Sequence, residues 1–205
     1  MSSPHPQLGT DTPWHQPDDL YASRPAWDID RPQPAFLALA DAGEVRGRVL
    51  DVGCGTGEHV LMCAGRGMDA TGVDLASRAL AAAKNKGRDR GLAARFLHRD
   101  ARKLADLGES FDTVLDCGLF HIFNDDDRVT FVDSLRAVLR PGGRYFMLCL
   151  SDQQPGDQGP RRVTRAEIEA WFAEGWRVDS IEPATIDITT DPDGIRAWLA
   201  ALTRI

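Results

Sequence analysis

The sequence predicts an α/β domain: a parallel sheet wound by right-handed crossovers, with helices on both faces. Two observations carry this. Between residues 49 and 150, short apolar runs alternate with amphipathic helical stretches in units of about 25 residues, and strand–helix–strand repeats of that length build parallel sheets. The first such strand also opens directly into a glycine-rich turn and a helix, the arrangement these sheets use at their ligand-binding edge.

The elements follow in order. The first 33 residues hold six of the twelve prolines and read as an irregular arm with aromatic anchors at Trp14, Tyr21 and Trp27. The domain proper spans 34–205. A helix over 34–42, with Phe36, Leu37, Leu39 and Ala40, ends at Gly43. Val49-Leu50-Asp51-Val52 is a short buried strand running into Gly53-Cys54-Gly55-Thr56-Gly57. A helix over 58–66 closes at Gly67, a second strand covers 69–74, and Ser77 caps a helix that reaches about residue 90 and closes at Gly91. Residues 94–97 form a third strand and 111–117 a fourth, centred on Thr113-Val114-Leu115. A helix over 125–139 places Val129, Val132, Leu135 and Leu139 on one face, and Pro141-Gly142-Gly143 turns it into a fifth strand, 144–150. The tail adds a helix over 165–173 and an apolar alternation over 176–188. Residues 195–205 fit either a terminal helix or a last strand.

Composition narrows the class. A 205-residue chain with 42% hydrophobic and 27% charged residues makes one folded domain with an arm, and whole-chain disorder is excluded. A net charge of -7 disfavours nucleic-acid backbones and anionic membranes as partners. Cys54, Cys63, Cys117 and Cys149 form no CxxC pair and lack histidines at zinc-ligand spacing, so buried, reduced thiols are expected. Residues 1–10 contain no apolar leader and the longest apolar run is 145–150, so the expectation is a soluble cytoplasmic protein. No metal site is expected. Asn124-Asp125-Asp126-Asp127 precedes an apolar-periodic helix, where such residues cap free N–H groups and complement the helix dipole.

The glycine loop is the sharpest chemical signal. Its spacing is GxGxG, and Glu58 occupies the position of the third glycine of a dinucleotide fingerprint. No GK[ST] follows, so it is not a phosphate-gripping loop. Asp74 ends the second strand 21 positions after Gly53, where a carboxylate can accept both hydroxyls of a ribose. Asp100 stands just beyond the third strand. An acidic rim of Asp51, Asp74, Asp100 and Asp116 suits a nucleoside that lacks phosphates and carries positive charge.

In order along residues 47–150, LDVGCGTG, GVD, the pair Asp100-Ala101, FDTVLDCG and LRPGG resemble the successive motifs of class I S-adenosylmethionine-dependent methyltransferases. That resemblance implies a Rossmann-like seven-stranded sheet of order 3-2-1-4-5-7-6 with the last strand antiparallel. It also implies S-adenosylmethionine as cofactor, leaving as S-adenosylhomocysteine. Carried over by position, Gly53, Gly55 and Gly57 line the methionine part, Asp74 holds the ribose, Asp100 and Ala101 meet the adenine edge, and Asp116 with Cys117 forms the floor beside the sulfonium. Asp51, Cys54 and Leu75 complete the implied cofactor shell. Upstream, Ala26-Trp27-Asp28-Ile29-Asp30-Arg31-Pro32-Gln33-Pro34 resembles the PWDxGxPxP segment of thiopurine- and thiol-type methyltransferases and their bacterial relatives. There the arm folds over the cofactor with its tryptophan close by. Here Asp30 stands where that family has glycine, and Ala26 where it has proline.

The implied activity is methyl transfer to an O, N or S heteroatom of a small aromatic or thiol molecule, since only the arm and loops are available to enclose an acceptor. His121, just past the fourth strand, is either a general base or a histidine packed beneath the next helix. An acceptor that ionises in solution, such as a thiolate or phenolate, needs no base. Trp14 and Tyr21 either wall the acceptor pocket or anchor the arm. Arg161, beside Arg162, either grips an anionic acceptor or is an ordinary surface residue, and 152–162 is a flap or a plain loop. Two other readings compete: a cofactor-binding regulator without turnover, and a nucleic-acid methyltransferase. The acidic charge disfavours the latter, as does DCGLF standing where (N/D)PP(Y/F) would follow the fourth strand.

Overall fold

Five parallel strands end on one common edge in the computed structural model, which describes residues 17–205. They are β1 (Arg48–Val52), β2 (Asp69–Asp74), β3 (Arg95–His98), β4 (Phe111–Cys117) and β5 (Leu139–Leu150). The chain closes with a hairpin of β6 (Trp176–Ile188) and β7 (Asp191–Arg204), and β7 inserts antiparallel between β5 and β6. The order is β3-β2-β1-β4-β5-β7-β6, as the motif resemblance implies. Among the described residues no helix is long and apolar enough to cross a membrane.

Alternation along each strand sends side chains to two separate cores. Leu50, Val52, Val114, Tyr145 and Met147 face one side, under α4 (Asp125–Val138) and α5 (Arg165–Trp171). Val49, Leu115, Phe146 and Leu148 face the other, under α1 (Pro34–Asp41), α2 (Glu58–Gly65) and α3 (Ser77–Asp89). Each fully buried Leu or Phe in these layers contributes about 1.5–3 kcal/mol of burial free energy.

The structure settles the last segment as a strand. Its Ala- and Leu-rich composition favours helix, yet Trp198, Ala200 and Leu202 join one core while Ala197, Leu199 and Ala201 join the other. That is the period-two pattern of a strand buried on both faces, and pairing on both sides outweighs intrinsic propensity. Three local expectations change. Ser77 is the first residue of α3 rather than its cap: Ala76 holds that position, and its N–H is taken by the Asp74 carboxylate at 2.7 Å. The strand β5 begins at Leu139, before the Pro-Gly-Gly turn, because Leu139 already pairs with Phe111 across an irregular register. The helix α5 stops at Trp171 after a full capping box, in which Thr164 and Glu167 bond reciprocally.

Candidate active site

The site is built where β1 gives way to α2. Gly55 holds φ +52°, and a Cβ there would lie 2.7 Å from the Tyr21 hydroxyl, so only glycine lets the arm close onto this loop. The Gly55 N–H donates to Asp74 at 2.8 Å, which ties the loop to the end of β2. Burial pushes the Asp74 pKa up although Ala76 and Gly55 both donate backbone N–H to it. Each of its oxygens keeps one lone pair free for a further donor. Cys54 turns away from the loop surface, beneath the sheet, where its sulfur would sit 2.7 Å from a Cβ on Gly72; burial raises its thiol pKa well above the ordinary value.

Asp51 lies one turn of backbone earlier, 1% exposed, and neither carboxylate oxygen has a hydrogen-bond partner among the described residues. The nearest cationic candidate is His59 Nδ1 on α2, at 3.6 Å. His59 Nε2 accepts the Gln33 N–H at 3.2 Å, so a neutral His59 carries its proton on Nδ1, toward Asp51 but beyond hydrogen-bond reach.

The arm crosses this loop. Trp27 is 47% exposed and its indole N–H donates to the Tyr21 hydroxyl at 3.4 Å. Burial, then the Asp74 charge, push the Tyr21 hydroxyl above its ordinary range. The Thr56 hydroxyl donates to Asp28 at 3.0 Å, and Lys86 on α3 bonds Thr56, Glu58 and Asp30 at 2.9–3.1 Å. Arg90 holds both Glu58 oxygens at 2.8 Å, so Glu58 is a clamp for α3 and leaves little charge facing the loop. Burial opposes ionisation of Glu58, but Arg90 and Lys86 together lower its pKa. Asp30 adopts φ +56°, the left-handed conformation that a glycine would take at no cost, and pairs with Arg24 and Lys86. Gln33, 3% exposed, bonds the backbone of Asp187 in both directions at 2.8 and 3.0 Å.

The next strand ends bring the remaining expected residues. Leu75 is 36% exposed and its carbonyl accepts from His98 Nε2 at 2.9 Å. Asp100 caps the 3-10 turn Ala101–Leu107 and accepts from Arg102 at 2.7–3.2 Å through its N–H and guanidinium; burial opposes ionisation, yet Arg102 lowers the Asp100 pKa. Ala101 is buried beneath it. Asp116 is fully buried and accepts from Tyr145 Oη at 2.7 Å, Leu119 N–H at 2.7 Å and Phe120 N–H at 3.1 Å. It shapes the turn that follows β4, and burial pushes its pKa up to about 7 against those three donors. Cys117 is half-buried, its thiol raised by burial and by Asp51 and Asp116.

Two expected roles change. His121 is 8% exposed and its Nδ1 accepts the Leu150 N–H at 2.9 Å, so the lone pair a base would use is occupied and the neutral ring carries its proton on Nε2. Burial, then Arg128, lower its pKa to about 4. As placed it is a donor rather than a base. Arg161 is committed to Asp125 and Glu167, both at 2.5 Å, which neutralises it as a grip for an anionic acceptor. The acidic run 125–127 serves α4 as expected: Asn124 accepts the Asp127 N–H at 2.8 Å, and Asp125 and Asp127 pair with Arg161 and Arg102. Trp14 lies outside the described residues.

The sequence did not single out His59, Gln33, Lys86, Tyr145 or Arg128, which the fold brings to this edge. Their partners are distant in the chain, so no local spacing marks them.

A model of the methyltransferase domain family matches residues 49–143. A 2-heptyl-1-hydroxyquinolin-4(1H)-one methyltransferase of Mycobacteroides abscessus is 35% identical over 173 residues, covering 83% of this chain and 76% of that protein. A solved structure reported for the conversion of a disulfide bond into a thioacetal group during echinomycin biosynthesis superposes with TM-score 0.83 at 36% identity, covering 91% of both chains. The same fold recurs in an S-adenosylmethionine-dependent methyltransferase of Methanosarcina mazei, with TM-score 0.70 at 16% identity over 85% of this chain and 99% of that one. The strand order, the loop between β1 and α2 and these likenesses agree: the chain belongs to the class I S-adenosylmethionine-dependent methyltransferases.

Proposed function

We propose that the β1–α2 loop and the arm enclose S-adenosylmethionine, and that the acceptor is a small aromatic molecule reacting at an acidic hydroxyl. The single observation that carries the cofactor assignment is Asp51: a buried carboxylate with no partner is costly, and a cationic group set against it removes that cost. The amino group of the cofactor's methionine part is such a cation. Asp74 retains free lone pairs for ribose hydroxyls, and the Asp100-Ala101 step offers a carboxylate oxygen and a backbone N–H to an adenine edge. Once bound, S-adenosylmethionine supplies a methyl group activated on a sulfonium.

The chain's own part is to bind, orient and exclude water. Residues 17–33 act as the lid, with Tyr21 laid on Gly55 and the Asp28–Thr56 and Lys86–Asp30 links holding it down. The hydroxyquinolone activity of the Mycobacteroides relative supports an aromatic acceptor of modest size, and the absence of an inserted domain between the motifs fits it. Four free cysteines, buried or half-buried, support a reducing cytoplasmic location, and the net charge of -7 supports a non-nucleic-acid acceptor.

The test is calorimetry with S-adenosylhomocysteine, followed by product analysis over 1-hydroxyquinolones, phenols, thiophenols and heteroaromatic amines. Methylated product from an acidic hydroxyl is expected. Tight cofactor binding with no product from any acceptor would favour a regulator without turnover.

A further inference from the structure

We infer that Arg128 and His121 form an anion-binding subsite, through which the enzyme takes its aromatic acceptor already ionised at an acidic hydroxyl. This deepens the function proposed above and rests on it.

Arg128 occupies the first turn of α4 and is completely buried. Its Nε donates to the Phe120 carbonyl at 3.3 Å, and its guanidinium lies 4.5 Å from the centre of the Phe120 ring. Both terminal nitrogens, Nη1 and Nη2, are buried with no hydrogen-bond partner among the described residues. The charged groups around it are few. Glu167 on α5 stands 4.0 Å from Nη1, but its carboxylate is already shared between Arg161 and the Thr164 cap. Asp125 on α4 is paired with Arg161, Arg161 itself repels Arg128, and the buried Cys149 thiol on β5 completes the set. An always-charged group held dry with its strongest donors unused calls for an anion.

His121 supplies the second donor from the same turn. With Nδ1 occupied by Leu150, its N–H is on Nε2, which makes no hydrogen bond to any described residue. Gly118, at φ +83°, passes close to that nitrogen without crowding it: a Cβ there would lie 3.4 Å from Nε2. The turn abuts the cofactor loop, since the Leu119 side chain comes within 3.2 Å of a Cβ position on Gly53. His121 thus stands on a turn beside the loop that holds the methyl donor, with Arg128 held to the same turn through the Phe120 carbonyl, on the strand edge where ligands of such sheets bind. An acceptor bound here has lost its proton to solvent before binding, so no protein base is required. The oxygen–carbon bond would form as the sulfonium's sulfur–carbon bond breaks and sulfur keeps that electron pair, so the anion becomes a neutral O-methyl product and S-adenosylhomocysteine leaves as a neutral thioether.

The experiment is a spectroscopic titration of 2-heptyl-1-hydroxyquinolin-4(1H)-one in complex with enzyme and S-adenosylhomocysteine, repeated with 4-nitrophenol and thiophenol. In the wild type the bound hydroxyl should ionise at least one pH unit below the free compound. Arg128→Gln should abolish that shift and weaken binding of the anion about ten- to hundredfold, the loss expected for a charge-assisted hydrogen bond. It should leave the affinity for the analogue lacking the N-hydroxyl, and for S-adenosylhomocysteine, unchanged. Arg128→Lys, which retains the charge and guards against a folding defect, should keep part of the shift, and His121→Gln a larger part. An unshifted ionisation in the wild type, an equal shift in Arg128→Gln, or binding of none of the three acids overturns the proposal. Failure of the wild type to bind S-adenosylhomocysteine would overturn the cofactor-loop reading instead.

Discussion

Leu50-Asp51-Val52-Gly53 and Leu115-Asp116-Cys117-Gly118 are the same kind of strand end on neighbouring parallel strands, yet their acids meet opposite fates. The register pairs Val52 with Asp116 and Asp51 with Leu115, an offset of one residue. One residue of offset sends the two side chains to opposite faces of the sheet. Asp116 turns toward the core beneath α4 and finds three donors there. Asp51 turns toward α2 and finds none among the described residues. The difference teaches how to separate a buried acid that serves the fold from one that serves a ligand. Burial alone does not do it, since both are inaccessible; the count of satisfied oxygens does.

The largest effect should follow from breaking the satisfied member. Asp116→Ala leaves the Tyr145 hydroxyl and the Leu119 and Phe120 N–H groups without their acceptor. At about 1–3 kcal/mol per orphaned donor, partly relieved by relaxation, a loss of about 3–5 kcal/mol in urea unfolding is expected. A loss below 1 kcal/mol would remove Asp116 from its structural role. Asp51→Asn should do the reverse. Folding stability should hold or rise, because an unpaired buried charge is removed. Affinity for S-adenosylhomocysteine should fall by about 1.5–3 kcal/mol in calorimetry, as one charge-assisted contact is lost. Unchanged affinity would sever Asp51 from the cofactor.

A smaller effect sharpens the comparison by pH. Asp116, with its folded pKa raised to about 7, contributes stability that is fully present below its ordinary value near 4 and is lost as pH rises through 7. His121, depressed to about 4, contributes stability present above its ordinary 6.5 and lost as pH falls toward 4. The two slopes oppose each other over pH 4–7, and the wild type should be nearly flat there. Asp116→Asn should lose stability on acidification across this window, and His121→Gln should gain it, both read from urea midpoints. Parallel curves for the two variants would show that neither group titrates as described.

The fold was legible because its signals are local: alternation, glycine punctuation and motif spacing lie within windows of ten to twenty residues. The loop Gly53–Gly57 and the acids at each strand end were legible for the same reason. The division of labour between Asp51 and Asp116 was not, since a one-residue register offset leaves no trace in either tetrapeptide. Arg128 follows the acidic run Asp125–Asp127, and nothing in that local sequence marks it. Its unused donors come into view only once Phe120, Cys149 and Glu167 surround it. His121 sat at the right edge for a base, and only the Leu150 N–H, 29 positions away, shows which nitrogen is occupied. Conversely, Asp30, which stands where the resembled family has glycine, takes the left-handed conformation itself. The left-handed backbone is kept, and the added carboxylate engages Lys86.

The arm is fastened at two places: to the loop and helices between residues 55 and 86, and to the far end of the chain. Ala26 accepts the Thr189 N–H, Arg31 pairs with Asp187, and Gln33 bonds the Asp187 backbone twice. During synthesis, therefore, residues 26–33 leave the ribosome long before this second set of partners does. They gain these bonds only with the β6–β7 turn, more than 150 residues later. The cofactor loop and its contacts with the arm can take shape early with β1, β2 and α3, but the far anchors of the lid are added only with a complete sheet. Full fastening of the arm thus reports that the sheet is whole: a chain truncated before residue 187 would keep the contacts of Tyr21, Asp28 and Asp30 with the loop and α3 and lose the anchors at Asp187 and Thr189.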